Sequence, residues 1–135
     1  MGTIKANTNK LTIKLYVNEE MHAEILINPS FPGGCRKIYD ALKHDADITK
    51  KALSDITESG KKDDAVIDYM QGKYDIAGEL IDGIAEAIGP DQYEEIASIL
   101  PCIEIKDLAA LAIAIIDSYS EYYERVLKKG FKSNG

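Results

Sequence analysis

The feature that most constrains this chain is a change of hydrophobic period at Pro29–Gly34. Before that point, Leu11, Ile13, Leu15 and Val17 alternate with Thr12, Lys14 and Tyr16. A period of two fits a half-buried strand. Asn18-Glu19-Glu20 makes a polar turn, and a second apolar run from Ala23 to Asn28 has Ile25, Leu26 and Ile27 at its centre. Together the runs predict a β-hairpin. The stretch Pro29-Ser30-Phe31-Pro32-Gly33-Gly34 ends it as a loop, because Pro and Gly interrupt both regular structures. A lone hairpin is marginal in water, so it has to pack on the remainder of the chain.

After Gly34 the spacing is helical. Ile38, Tyr39 and Leu42 mark a first piece; Ile48, Ala52, Leu53 and Ile56 mark a second, from about Asp47 to Glu58. Ser59-Gly60-Lys61-Lys62 reads as a break, with Gly60 closing the helix. The next helix spans about Asp63 to Ile88. Its apolar stripe is Val66, Tyr69, Met70, Ala77, Leu80, Ile81, Ile84 and Ile88, with Asp68, Asp75, Glu79, Asp82 and Glu86 opposite. Gly72, Gly78 and Gly83 each weaken it by about 1 kcal/mol relative to Ala. They fit either close packing or a kink. Gly89-Pro90 stops this helix. Asp91, with Glu94 three residues on, looks like a capping box for a short helix, Gln92 to Leu100. The last helix runs from near Glu104 to about Lys129. One stripe is Leu108, Leu111, Ala112, Ile115, Tyr119, Tyr122 and Val126; a second is Ile105, Ala109, Ile113, Ile116, Tyr123 and Leu127. Residues 1–9 and 130–135 read as flexible tails. The expected fold is one α+β domain over 1–135, mainly helical, with an N-terminal β-hairpin packed on a helical bundle and a long C-terminal helix.

A chain of 135 residues that is 45 % hydrophobic can bury a core without metals or disulfides. Its net charge of −7 and pI near 4.8 repel phosphate backbones and anionic headgroups, which argues against nucleic-acid and membrane partners. Cys35 and Cys102 are far apart and belong to no CxxC pair. They read as reduced thiols of a cytoplasmic protein, although a bridge between them is not excluded by sequence. The N-terminus has no apolar signal-peptide core, and the longest apolar run, Leu108 to Ile116, is too short to span a bilayer.

Candidate chemistry is sparse. His44 with Asp45 and Asp47 offers nitrogen and oxygen ligands, but Asp47 is explained by helix capping, so no metal is expected. His22 reads as a turn residue. Cys35 follows Gly33-Gly34 into a first helical turn, where a thiol pKa falls, yet no base is placed beside it. Cys102 reads as a buried hydrophobe. The carboxylates Asp75, Glu79, Asp82 and Glu86 read as a solvated face rather than an acid–base pair. No catalytic residue, cofactor or enzyme activity is expected. Tyr119, Tyr122 and Tyr123 cluster near the end of the last helix, with Tyr123 offset from Tyr122 by about 100°. Tyrosine buries much area and keeps a polar tip, so with Val126 these residues form the candidate protein-binding set, against the alternative that they edge the core.

The order of features resembles the tail assembly chaperones of long-tailed bacteriophages and prophages. Glu79-Leu80-Ile81-Asp82-Gly83-Ile84-Ala85-Glu86-Ala87-Ile88-Gly89 carries the resemblance, followed by Tyr93-Glu94-Glu95-Ile96 and by Ile115-Ile116-Asp117-Ser118-Tyr119; Ile13-Lys14-Leu15-Tyr16-Val17-Asn18 also fits. Ile88-Gly89 departs from the aromatic that often precedes that glycine. The resemblance implies a non-catalytic protein that coats the tape-measure protein, helps recruit tail-tube subunits and is lost from the mature virion, working in the bacterial host cytoplasm. A homo-oligomer is compatible with that role. The alternatives are a structural head–tail connector or another small helical adaptor, and an enzyme using Cys35.

Overall fold

The computed structural model describes residues 2–6, 11–58 and 62–134. The expected break at Ser59-Gly60-Lys61 lies outside the described residues. The chain forms strands β1 (Leu11–Val17) and β2 (Glu20–Ile27), then helices α1 (Cys35–Glu58), α2 (Lys62–Ile88), α3 (Pro90–Ile96) and α4 (Ile105–Asn134), with a short 3-10 turn, Leu100–Cys102, before α4. This is the expected α+β fold: an antiparallel hairpin on a helical body.

The hairpin turns on Asn18 and Glu19, whose φ values of 51° and 71° are both left-handed. Such a two-residue turn matches the right-handed twist of the strands, and Asn suits it; Glu19 carries a steric cost of about 1–2 kcal/mol there. Leu15 pairs with Ala23 while Tyr16 pairs with Met21, so His22 is the extra residue of a β-bulge. His22 therefore belongs to a strand, where the sequence suggests a turn. The odd residues of β1 face the body and the even ones face out. Ile25 and Ile27 of β2 are fully buried.

Helix α1 is one helix of 24 residues, not two pieces. The polar cluster His44–Asp47 suggests a boundary, but Asp45 lies mid-helix, where it takes the Lys73 ammonium of α2 at 2.6 Å. Asp47 is thus not a cap. Helix α2 runs unbroken through all three glycines. Its C-terminal half buries Ile76, Leu80, Ile84 and Ile88 as expected. In the N-terminal half the stripe is phased differently: Ala65 is buried while Val66 and Met70 are exposed. The contacting seam there is made of small residues, which hydrophobic spacing underweights.

Two glycines decide how close α1 and α2 come. Gly34, at φ 72°, lies against the Gly83 carbonyl, and a Cβ on Gly83 would stand 2.6 Å from Ile38 Cγ1. No side chain fits between the start of α1 and the end of α2. Gly72 plays a milder part, since its Cβ would meet only the tip of Ile48 at 2.8 Å. Gly78 faces open space.

Helix α3 begins at Pro90, with Gly89 (φ 86°) before it and no side-chain cap. Asp91 is not the N-cap: Pro90 takes the first helical position because it has no N–H to lose. Ile96 and Leu100 close the core from this side. From α4, Leu108, Leu111, Ala112, Ile115 and Tyr119 complete it. Each fully buried Ile or Leu contributes about 1.5–3 kcal/mol of transfer free energy. Beyond Tyr119, α4 leaves the body and continues past Lys129 to Asn134; Gly130 does not adopt the left-handed φ of a helix-ending glycine.

Candidate functional site

The four residues of the candidate set lie at the point where α4 leaves the body, and they divide into two kinds. Tyr119 is buried, and its hydroxyl donates to the Ala87 carbonyl at 3.3 Å. Burial raises its pKa, partly offset by a hydrogen bond with the Gly33 backbone. It is a bolt joining α4 to the end of α2. Tyr123 is partly exposed and donates to the Ser30 carbonyl at 3.3 Å, while its ring meets Tyr122 edge to face at 5.0 Å. Val126 is exposed. Tyr122, Tyr123 and Val126 are exposed or half-exposed, whereas Tyr119 is almost wholly buried.

Tyr119 and Tyr123 also wall an open groove of about 740 Å³ between the start of α1 and α4. Pro32, Cys35, Arg36 and Tyr39 form its other side. The Tyr39 ring is flanked by Arg36 and Lys43 at 5.7 and 5.4 Å. Cys35 opens α1, as expected, but its thiol pKa is raised: burial outweighs the lowering by a backbone hydrogen bond, and Glu86 raises it further. The thiol therefore stays protonated near neutral pH, the reverse of an activated nucleophile. Cys102 is exposed rather than buried, because the turn through Pro101 sends Leu100 inward instead. Both cysteines are free.

The polar candidates form a seam between α1 and α2. Lys37 meets Glu86 at 3.0 Å, His44 Nδ1 lies 3.7 Å from Glu79, and Lys73 meets Asp45. Glu79 and Glu86 thus face α1, where helical spacing alone suggests a wholly solvated stripe. His44, Asp45 and Asp47 are not drawn together; among the described residues no cluster of three or more His, Cys, Asp or Glu could hold a metal. Nor is any helix of the described residues long and apolar enough to cross a membrane.

A further surface lies on the α1–α2 arm, where Leu53 and Met70, expected from the helical stripes to face the core, point to solvent instead. Leu53 of α1 and Ile67, Met70 and Tyr74 of α2 are 62–76 % exposed. Ile67, Met70 and Tyr74 recur at three- and four-residue spacing and form one stripe along α2. On the free end of α4, Leu127 is 72 % exposed beside Val126. Met70 belongs to the one apolar stripe that helical spacing marks on α2, and Ile67 and Tyr74 flank it, but nothing local says which part of that face is covered. No family model, curated protein or solved structure matches the chain.

Proposed function

We propose that this protein acts by binding another protein, as a tail assembly chaperone of a long-tailed phage or prophage that holds the tape-measure protein and helps recruit tail-tube subunits. The observation that carries the binding part is the exposed aliphatic and aromatic stripe Ile67–Met70–Tyr74 on a projecting arm. It is accompanied by Tyr123, Val126 and Leu127 on a projecting helix. Large apolar side chains grouped on a surface mark a partner site. The surrounding carboxylates, with a net charge of −7, oppose self-aggregation of a protein that carries such surfaces. The phage role itself is supported by the resemblance in sequence alone.

The test is affinity capture from the native host after prophage induction, read by mass spectrometry. Recovery of a very long helical tape-measure protein or of tail-tube subunits is expected. Recovery of portal or connector proteins instead, or the presence of the chain in purified virions, overturns the chaperone reading in favour of a structural connector. Within the site, Tyr122→Ala with Tyr123→Ala weakens capture; unchanged capture removes the end of α4 from the binding surface.

A further inference from the structure

The two edges of the hairpin are treated differently. On the β2 side, the Gln92 amide accepts from the Leu26 N–H at 2.7 Å and donates to the Leu26 carbonyl at 2.8 Å, as a neighbouring strand would. That edge is sealed where α3 meets it. On the β1 side no further strand pairs among the described residues, because the sheet is β1–β2 only. Leu26 turns its backbone groups away from β1, so its pair Thr12 turns its own away from β2; by alternation Lys14 and Tyr16 do the same. Along this open edge runs a groove of about 660 Å³, floored by Ala110, Leu111 and Ala114 of α4.

We propose that the β1 edge is a homodimer interface, in which β1 of a second copy pairs antiparallel across a twofold axis at Leu15 to give a four-stranded sheet. Three observations favour a second copy. An antiparallel strand pair is self-complementary under a twofold. Strand β1 itself holds no acidic residue in a chain of net charge −7, so the paired strands bring no carboxylates against each other; Glu104 and Asp107 lie beside them in the groove, within the same surface as Lys14. The side-chain pattern also selects the register. With Leu15 opposite the partner's Leu15, Ile13 faces the partner's Val17 on the body side. On the outer face Lys14 lies opposite the partner's Tyr16, a residue 56 % exposed whose ring can take a cation on its face. A twofold at Lys14 would instead oppose two ammonium groups, which is unfavourable. In the Leu15 register, the lysine that guards an exposed edge becomes a cross-strand partner. The interface is small, so the dimer is weak, forming roughly between 10 µM and 1 mM. The inference does not depend on the chaperone reading.

The experiment is sedimentation equilibrium of the full chain over that range, with circular dichroism of each variant as a check on the fold. Wild type is expected to dimerise. Lys14→Pro removes an outward N–H without touching the β1–β2 ladder and abolishes the dimer. Tyr16→Lys sets like charges opposite each other twice and weakens the dimer at least about five-fold; Tyr16→Glu, which faces Lys14 with a carboxylate, keeps or tightens it. If Lys14→Pro unfolds, the Tyr16 pair of variants decides alone. A monomer at 1 mM overturns the proposal. So does a dimer indifferent to Tyr16→Lys, or one lost only on deleting Gly2–Ala6, which would assign the edge to that segment.

Discussion

The two ends of the α1–α2 pair are built on opposite principles. At the end nearest the hairpin, Ile38, Ile76, Leu80 and Ile84 are buried to within 1 % against β2, α3 and α4. At the far end, among the described residues, only Ala52 and Ala65 are fully buried; Ile48 and Tyr69 are half-buried, and Leu53, Ile67, Met70 and Tyr74 point to solvent. The first end is a core in which large side chains interlock. The second is a ribbon of two helices held by small residues and by the Lys73–Asp45 ion pair. Stability is thus concentrated where the hairpin, α3 and α4 converge. The arm is free to offer its large apolar residues to something outside the chain.

Substitutions break or sharpen this contrast. The largest effect is expected at the tight junction: Gly34→Ala must relieve both a left-handed φ and a contact with the Gly83 carbonyl, and costs about 3 kcal/mol or more in urea unfolding. Ile84→Ala at the core end costs about 2–5 kcal/mol. Met70→Ala on the arm, a truncation of similar size, changes stability by no more than about 0.5 kcal/mol while weakening partner capture. An Ile84-like loss at Met70 would end the distinction between the two ends. Glu19→Gly relaxes the hairpin turn and is expected to raise stability by about 1 kcal/mol. The smallest effect comes from the arm's ion pair. The hydrogen bond from Lys73 to Asp45 raises the Lys73 pKa. A raised pKa means the pair stabilises below the unfolded value of about 10.4 and loses that contribution as pH rises through the folded value. Lys73→Met removes this alkaline loss from a pH series of thermal melts, at a cost of at most about 1 kcal/mol near neutrality.

Legibility in the sequence divides along the same line. The hairpin could be read because alternation is local, and α4 because Leu108 to Tyr119 repeats the helical period in large residues. Helix α1 reads as two pieces because His44-Asp45-Ala46-Asp47 looks like a boundary; the partner that Asp45 has from its place inside the helix is Lys73, 28 positions away. On α2 the stripe through Val66 and Met70 is the more hydrophobic one, yet it is the exposed one. The covered seam depends on Ala65 and on Gly72 lying against Ile48, and absence of a side chain leaves no hydrophobic mark. Tyr119 and Tyr123 share a cluster in sequence and differ in role because Ala87 and Ser30 supply their acceptors, and neither acceptor is visible from α4.

The bond from Tyr123 to Ser30 joins residues 93 positions apart. A span of that length bears on the order of assembly. The hairpin and the α1–α2 pair involve neighbours in sequence and can form early, whereas the contacts of α4 with α1 and α2 span long separations and form later. The face of α2 that meets α4 therefore stays open until that long-range docking takes place, which makes the docking of α4 the step that closes the core.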